Sequence, residues 1–436
     1  MVFTLCVFAS TVALMICSVI FKPYLKIGKV RLGLYYVITV VGASILLISG
    51  KLPFSFALDK ITAKTAVNPL KILALFISVS LISLYLKNAG FFDYVAEKIF
   101  LKARNGGIKL FIVLYVAAAF LTTFTSNDIV ILTFTPPICI FCKKAKTSPA
   151  PYLFGEFVAA NTWSMALIIG NPTNVYLAES AGISFFSYLN VMILPTVFAG
   201  AISFLFLLLV FGNALKGEEK SLIEDDGGER TVKTDRFLTG VSLFHLFMCL
   251  ILLAVAEFIG LETYLICVIA AASLTLCYSV YCLIKERSLR RILSVFAGAP
   301  YELIPFVLSM FVIVSSLSYE GITAKLADAL IKGNNSDGIS FGFLSAVSSN
   351  LLNNIPMSVL FERIIAGRST AALFGAVIGS NIGAFITPVG ALAGIMWSKI
   401  LSGYGVKFPF WKFCVFGLII AIPTLAAATL TLLITV

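Results

Sequence analysis

The stretch Thr125-Ser126-Asn127-Asp128 interrupts a long apolar block, and Gly170-Asn171-Pro172-Thr173-Asn174 interrupts the next one. A matching pair stands in the other half of the chain. It consists of Asn350-Leu351-Leu352-Asn353-Asn354, followed by Asn381-Ile382-Gly383 and Thr387-Pro388-Val389-Gly390. Helix breaks at equivalent places in two halves of a polytopic chain indicate a transporter's binding site. Backbone that leaves the helix within hydrocarbon must be satisfied by protein or by a polar cavity. The four motifs therefore predict one central polar site.

Composition places these motifs in a membrane. The chain has 436 residues, of which 60% are hydrophobic and 12% charged, with a mean hydropathy of +1.02. Soluble domains carry about 25% charged residues, so the sequence predicts an integral membrane protein with room for roughly ten spans. The net charge of +11 lies mostly in short inter-span loops, which predicts contact with lipid and no nucleic-acid partner.

The order of segments predicts an all-α integral membrane fold built from two inverted repeats of five transmembrane helices. Each repeat has one re-entrant hairpin and one broken helix. The first repeat is residues 1–211, with spans at 2–21, 31–50, 70–87 and 189–211, hairpin 108–142 and broken helix 152–182. The second is residues 237–436, with spans at 237–257, 262–283, 301–319 and 410–434, hairpin 339–366 and broken helix 371–402. Amphipathic segments at 91–104 and 322–332 precede the hairpins, and the charged stretch 212–236 predicts a cytoplasmic linker.

The repeat can be followed by residue number. Asn127-Asp128 corresponds to Asn353-Asn354 at an offset of 226 residues, and Ala160-Asn161 corresponds to Ser380-Asn381 at an offset of 220. Five spans per half is an odd number, so the halves insert with opposite orientation, as in secondary transporters. With the N-terminus outside, all but eight of the 32 Lys and Arg lie on the cytoplasmic side. This distribution favours a multi-pass protein of the cell (inner) membrane in that orientation.

Asp128 is the acidic residue with the strongest case for a functional role. It lies in the middle of an apolar block, where an ionisable side chain is costly and is by default a functional hypothesis. The sequence predicts a proton or cation site at the first hairpin tip. The alternative is that Asp128 only caps the helix that begins at Ile129.

Amide and hydroxyl side chains supply the rest of the predicted site, because each amide offers both donors and acceptors. Pro172 and Gly170 open the first broken helix, and Asn354 replaces the acid in the second half. The predicted substrate-binding residues are Ser126, Asn127, Asp128, Asn171, Thr173, Asn174, Asn350, Asn353, Asn354, Asn381, Thr387 and Gly390, with Asp128 also binding the coupling ion.

The remaining polar residues have simpler interpretations. His245 is predicted to be a hydrogen-bonded scaffold residue rather than a proton relay. Glu156 is expected near the cytoplasmic face, where it either lines an access path or reaches the membrane interface. For Glu179 two roles stay open, that of a gate residue and that of an interface residue. The nine Cys lie mostly within helices and predict core residues. With a single His the chain predicts neither a metal site nor a cofactor.

At the four motifs the chain resembles the arsenite/antimonite permease family, within the ion transporter superfamily that also holds sodium–dicarboxylate symporters, citrate–metal symporters and some sodium/proton antiporters. The matching stretches are Thr125-Ser126-Asn127-Asp128 to Thr135-Pro136, Ile169 to Asn174, Asn353-Asn354-Ile355-Pro356, and Gly379 to Ala393 with Trp397 beyond. The dicarboxylate branch has Ser-Asn-Thr at its hairpin tips. Asp128 and Asn354 depart from that pattern and favour the arsenite-like or cation-handling branches. The resemblance implies a scaffold, a moving unit of hairpins and broken helices, and commonly a homodimer.

The leading functional prediction is a secondary transporter that exports arsenite or antimonite in exchange for protons, by an elevator or rocking movement. Two alternatives remain open: a sodium- or proton-coupled transporter of organic anions such as dicarboxylates or citrate, and a sodium/proton antiporter. The chain is predicted not to be an enzyme, because it lacks the HExxH of an intramembrane metalloprotease. It also lacks the GxxxxGK[ST] loop of an ATP-driven pump, so ATP hydrolysis would need a soluble ATPase subunit as partner.

Overall fold

The computed structural model describes residues 1–21, 24–27, 30–63, 68–102, 106–217, 234–330 and 337–436. Within these ranges the chain is almost entirely helical, and the prediction of an integral membrane helical protein is confirmed at that level. The prediction of an all-α fold is wrong in one place. Strands β1 (Tyr24–Ile27) and β2 (Val30–Gly33) pair antiparallel, with Tyr24 opposite Gly33. Residues such as Tyr, Ile and Val on these strands favour extended structure.

The described residues of the first half form ten helices and two short 3₁₀ turns besides the two strands. The helices are α1 (Val2–Phe21), α2 (Leu34–Ile48), α3 (Phe54–Thr62), α4 (Pro69–Asn88), α5 (Phe91–Lys102), α6 (Gly107–Phe124), α7 (Asn127–Lys144), α8 (Ala150–Trp163), α9 (Pro172–Ser180) and α10 (Phe185–Gly217). The 3₁₀ turns, Ser164–Ala166 and Ile168–Gly170, lie between α8 and α9. Together these turns form the break of the first broken helix.

The second half repeats this order of long, short, paired and broken helices. Its helices are α11 (Arg236–Ile259), α12 (Thr263–Lys285), α13 (Arg290–Ala297), α14 (Leu303–Tyr319), α15 (Ile322–Leu330), α16 (Asp337–Leu352), α17 (Asn354–Ile365), α18 (Thr370–Gly383), α19 (Leu392–Gly403) and α20 (Phe410–Thr435). The break between α18 and α19 covers residues 384–391. Tip and break therefore alternate in the same order in both halves.

Six helices in the described ranges are long and apolar enough to cross a membrane: α4, α6, α10, α11, α12 and α20. Four shorter apolar helices, Val2–Ser18, Leu34–Ile48, Leu303–Tyr319 and Thr370–Gly383, have 10–17 residues. The helix α6, predicted as one limb of a hairpin, is among the six. With 18 residues it is roughly 27 Å long, so length alone does not separate a hairpin limb from a full span.

Several predicted boundaries differ from the structure. The predicted span 31–50 begins instead at Leu34, because strand β2 occupies its first residues. The predicted linker 212–236 begins too early, since α10 continues to Gly217 and α11 starts at Arg236. Residues 218–233 of that linker, and the ends of the amphipathic segments at 103–104 and 331–332, lie outside the described residues. The helices α3 and α13 were not predicted at all.

Packing between the halves is reciprocal. The helix α14 of the second half packs against α2 of the first, and α4 of the first half packs against α12 and α11 of the second. Likewise α7 packs against α19, α17 packs against α9, and α10 packs against α20. Each half therefore completes the other, and neither half buries its apolar faces alone.

Glycines allow one hairpin helix to approach its broken helix closely. A Cβ atom added to Gly379 of α18 would lie 1.9 Å from the carbonyl oxygen of Gly342 on α16, and one added to Gly375 would lie 2.2 Å from that of Gly338. Small residues at both surfaces permit such backbone contact between membrane helices. The contact fixes the second hairpin against the helix that carries Asn381.

Candidate functional site

The first hairpin tip is a two-residue connection between α6 and α7. Ser126 is the N-cap of α7, and its hydroxyl accepts a hydrogen bond from the backbone N–H of Ile129 at 3.4 Å. Asn127 accepts from the N–H of Asp128 at 2.9 Å and donates to the side chain of Asn161 at 3.0 Å. The helix thus begins at Asn127, and the suggestion that Asp128 is its cap is wrong because Ser126 fills that position.

Unlike Ser126 and Asn127, Asp128 has a side chain without hydrogen-bond or ion-pair partners among the described residues. Its side chain is 8% exposed. Within the described ranges its carboxyl group forms neither a hydrogen bond nor an ion pair. It lies in the first turn of α7, where the helix dipole stabilises negative charge. The group is therefore positioned to exchange a cation or proton without breaking a protein contact.

The first break is held open by amide side chains. Asn171 is the N-cap of α9 and accepts from the N–H of Thr173 at 3.1 Å. Asn174 donates to the carbonyl oxygens of Ser164 at 2.8 Å and Leu167 at 3.1 Å, the first within a 3₁₀ turn of the break and the second between its two 3₁₀ turns. Because helix ends expose such carbonyls, Asn174 stabilises the non-helical conformation itself.

The second tip contains a strained residue. Asn353 has φ +74° and ψ 153°, a backbone conformation that side chains other than glycine rarely adopt. Its side chain donates to the carbonyl oxygen of Val389 at 3.0 Å, and the N–H of Asn354 donates to that of Gly390 at 3.0 Å. The second tip is therefore anchored directly on the second break.

Asn350 and Thr387 form a separate pair at the edge of this region. The Thr387 hydroxyl donates to Asn350 Oδ1 at 2.6 Å, while Asn350 donates to the carbonyl oxygens of Ala346 and Gly383. Both side chains are only partly buried, and Gly390 lies close enough that an added Cβ would meet Asn350 Oδ1 at 2.9 Å. The hydrogen bonds of this pair hold the second break against α16.

Asn381 joins the two halves. It belongs to the last turn of α18 and not to the break as predicted. Its Oδ1 accepts from Ser164 at 2.8 Å and from Asn171 at 2.9 Å, and its Nδ2 donates to Asn174 at 2.8 Å. Asn354 of the second tip also donates to Asn171, at 3.2 Å. We call Ser164, Asn171, Asn174, Asn354 and Asn381 the amide cluster.

Three of the predicted motifs meet in the amide cluster: the first break, the second tip and the helix that precedes the second break. Each of its five residues is buried. Within the described ranges no hydrogen bond joins Ser126, Asn127 or Asp128 to the second half. Among the described residues, the one hydrogen bond that joins the first tip to the broken helix α8 runs from Asn127 to Asn161. Ser164 was missed from the sequence, because a single serine in an apolar span carries no signal.

Three buried polar atoms on the first break and second tip have no hydrogen-bond partner among the described residues. They are Asn353 Oδ1, Asn354 Oδ1 and Thr173 Oγ1. Buried polar atoms are almost always paired, so orphans of this kind need an explanation. Two of them are carbonyl-type acceptors and one is a hydroxyl, and the cluster contains no Lys or Arg. The centre is thus suited to a small solute that donates hydrogen bonds.

Glu156 differs from its sequence-based interpretation. It is 1% exposed and does not reach an interface. Both of its carboxyl oxygens lie 3.0 Å from the hydroxyl of Thr135 on α7. His245, by contrast, matches the scaffold interpretation, because its ring contacts Val241 O at 2.8 Å and Ser273 Oγ at 3.2 Å.

A cavity of about 420 Å³ opens between the broken helix and the helices α4, α11 and α12. It is lined by Ile168 and Ile169 of the first break and by Glu179, Glu262 and Lys71. Lys71 pairs with Glu262, and Thr263 donates to Glu179. Glu179 therefore lies at the contact between α9 and α12, beside a space that reaches the break.

The fold and this site define a class: a polytopic helical membrane transporter with a buried polar centre. The chain belongs to the citrate transporter (CitMHS) family, whose model matches residues 34–373. The resemblance to the ion transporter superfamily and its arsenite/antimonite permease branch is confirmed. Family members are membrane transporters of ions or small molecules.

Relatives and a solved structure agree with this assignment. An arsenical pump membrane protein of Escherichia coli is 27% identical over 388 residues, covering 83% of this chain and 86% of that protein. One from Yersinia enterocolitica is 27% identical over 381 residues, covering 83% and 86%. A 46 kDa membrane protein of Mycobacterium leprae is 24% identical over 380 residues, covering 82% and 84%. The YdaH transporter of Alcanivorax borkumensis shares the fold, with a TM-score of 0.55 and 14% identity over 98% of this chain and 97% of that one.

Proposed function

We propose that this protein is a secondary active transporter that exports arsenite or antimonite in exchange for protons. The observation that carries the proposal is the buried amide cluster together with the three unpartnered polar atoms of Thr173, Asn353 and Asn354 on the first break and second tip, none of these residues being a cation. The names of the arsenical pump relatives support the same solute class.

The chemistry of the centre fits an uncharged hydroxide. Arsenous acid, As(OH)₃, is neutral near pH 7 and presents hydroxyl donors. Asn353 Oδ1 and Asn354 Oδ1 are free acceptors, and the orientation of the Asn354 amide is fixed because its Nδ2 donates to Asn171. An anion would bring charge into a buried site without a counter-charge, which is expensive. Asn353 and Asn354 are therefore proposed to bind the solute, and Thr173 to contact it.

Asp128 is proposed to couple solute movement to protons. A carboxyl group with no protein partner can bind and release a proton during a cycle at little structural cost. It stands beside Asn127, whose hydrogen bond to Asn161 leads into the broken helix that also carries Ser164. Protonation at the tip can thus influence the position of that helix.

The architecture supports alternating access by an elevator or rocking movement. The element order recurs in residues 1–211 and 237–436, and the packing of α14 on α2 and of α4 on α12 is reciprocal. Both features fit two inverted repeats, each with a re-entrant hairpin, and the Lys and Arg distribution supports an N-terminus outside the cell. The proposed moving unit holds the hairpins and broken helices. The cavity beside Glu179 separates this unit from α11 and α12 and gives it space to move.

An organic anion such as citrate is the second candidate. The helices α7, α9 and α17 begin at Asn127, Pro172 and Asn354, all within the tips or the first break. Helix N-termini carry partial positive charge and bind anions. The family's own name, citrate transporter, supports the same alternative.

A solute panel on purified protein tests the choice. The melting temperature is measured with arsenite, antimonite, citrate, succinate, sodium or lithium, because a ligand that binds only the folded state raises apparent stability with concentration. We expect arsenite and antimonite to raise it and citrate to leave it unchanged. Stabilisation by citrate alone would instead favour the second candidate.

Proteoliposomes test the transport step. Arsenite flux is measured with an imposed pH gradient and no ATP, and the same vesicles with the gradient collapsed serve as control. Accumulation against the arsenite gradient, only when the pH gradient is present, supports a proton-coupled secondary transporter. Downhill flux that ignores the pH gradient would argue for a channel.

A further inference from the structure

Glu156 is a buried acid to which the proposed transport cycle assigns no role. It lies on α8, one helical turn before Ala160 and Asn161, and its only side-chain partner in the described ranges is the hydroxyl of Thr135. That hydroxyl lies 3.0 Å from both carboxyl oxygens. One hydroxyl is thus the whole hydrogen-bonding environment that the described residues give this buried carboxyl group.

A hydroxyl group carries one hydrogen, which it donates to one oxygen or shares weakly between two. With an ionised Glu156, that single hydrogen would be the only one available to both carboxylate oxygens. With a protonated Glu156, its own O–H donates to Thr135 Oγ1 while the Thr135 hydroxyl donates to the other carboxyl oxygen. The contact therefore satisfies a neutral acid fully and a buried carboxylate only weakly.

The surroundings favour the same state. Elements packed around α8 carry these ionisable groups: Asp128, Cys139, Cys142, Lys143 and Lys144 on α7, Lys109 and Tyr115 on α6, Tyr188 and Lys216 on α10, Lys399 on α19, and Lys412 and Cys414 on α20; α18 carries none. None of the lysines forms an ion pair with Glu156 in the described chain. An uncompensated buried charge is strongly unfavourable.

The ammonium group of Lys87, which contacts α7, already has a hydrogen-bond partner there. Pro136 has no N–H, so the carbonyl oxygen of Leu132 lacks its helical partner. The ammonium of Lys87 donates to that oxygen at 3.3 Å. The Cys139 thiol of α7 also interacts electrostatically with Glu156, and a thiol is no counter-charge.

We propose that Glu156, held by Thr135, is a second proton-binding site of the transport cycle, with the proton as its ligand. Thr135 lies seven residues beyond Asp128 on α7, roughly 10 Å along the helix, towards the end that carries Lys143 and Lys144. The two acids thus sit at different depths on the same pair of helices. Glu156 binds the proton nearer that end and Asp128 binds it at the tip. The inference rests on the proposed proton coupling.

Infrared spectroscopy of the purified protein tests the protonation directly. We expect a protonated-carboxyl band at neutral pH that persists in D128N, disappears in E156Q, shifts in T135V and remains in place in T135S. Gln keeps the shape and donor of the neutral acid, so E156Q should fold. If E156Q does not fold, the test is whether the protonated-carboxyl band shifts in T135V and keeps its position in T135S. A spectrum unchanged in E156Q, or in T135V, would mean that Glu156 is ionised and the proposal is wrong.

Flux measurements test the role in the cycle. In proteoliposomes, E156Q should still gain stability from arsenite but lose the dependence of flux on pH, whereas T135S should keep it. A pH dependence of E156Q flux identical to wild type would reduce Glu156 to a structural residue. The outcome is separable from that of the proposed function, because failure of arsenite to bind wild-type protein overturns the solute assignment while the infrared result still stands.

Discussion

The side chain of Asn171 donates a hydrogen bond to that of Asn381 over 2.9 Å, although 210 residues separate them in the chain. This contact joins the first broken helix to the helix that precedes the second break. The same Asn381 also bonds Ser164 and Asn174, so one amide side chain contacts three residues of the other half. The amide cluster is therefore a structural joint as well as the proposed solute centre.

Replacing Asn381 by Ala should destabilise the protein. The change leaves Ser164, Asn171 and Asn174 with buried groups that lose a partner, and each such loss costs about 1–3 kcal/mol. We expect a clear fall in melting temperature and loss of arsenite-dependent stabilisation. S358A is the matched control, because in the described part of the chain its equally buried hydroxyl bonds only Ile355 of its own helix. Equal melting temperatures for N381A and S358A would contradict the role of Asn381 as a joint.

Asp128→Asn should leave a folded protein that binds solute but no longer links flux to the pH gradient. Asn cannot titrate, yet it matches Asp in shape, and the cap of α7 is supplied by Ser126. The measurement is arsenite flux in proteoliposomes with and without a pH gradient. D93N, which removes an exposed acid on α5, is the control and should behave as wild type. Gradient-driven flux at the wild-type rate in D128N would rule out the coupling role.

Asn353→Gly should separate binding from stability. Glycine adopts the +74° φ of this position without strain, so relief on the order of 1–3 kcal/mol offsets the lost hydrogen bond to Val389. We expect a melting temperature near wild type together with weakened arsenite stabilisation. K146G is the control, because Lys146 has φ +53° far from the tips in sequence and makes no part of the site. If N353G binds arsenite with unchanged affinity, Asn353 does not contact the solute.

Cross-linking α9 to α12 should stop transport. Glu179 and Thr263 are in contact and belong to the proposed moving unit and the proposed scaffold respectively. In a background without the native cysteines, E179C with T263C joined by a short reducible cross-linker should block flux, and reduction should restore it. H245C with S273C is the matched control, since both residues lie in the proposed scaffold, on α11 and α12. Full flux in the cross-linked E179C–T263C protein would exclude relative movement of these helices.

Local sequence signals located most elements of this fold. Runs of apolar residues predicted the long helices. Pro172 and Gly170 predicted the first break, because proline lacks the backbone N–H and glycine lacks a side chain, and both properties weaken a helix in any surroundings. The same local reasoning failed at strands β1 and β2, where the short segment is also compatible with the start of an apolar span. It also ended α10 too early, since charge near a helix end does not stop the helix.

The site was only partly predictable for a different reason. Asn171, Asn174 and Asn354 were identified because polar residues at helix breaks are conspicuous in an apolar sequence. Ser164 and the buried pair of Glu156 and Thr135 were not, because their significance depends on which helices face each other. Hydrogen bonds such as Ser164 to Asn381 join residues 217 positions apart, and no local pattern encodes that proximity.

The sequence by itself thus determined the membrane class from hydropathy, the first helix break from the covalent properties of Pro and Gly, and the family from the resemblance of its four motifs. Only the tertiary structure decided that α14 packs on α2, that Asn381 belongs to a helix, and that Glu156 is buried against Thr135. The physical reason is that burial and hydrogen-bond partners are properties of pairs of segments, and the chain must fold before those pairs exist.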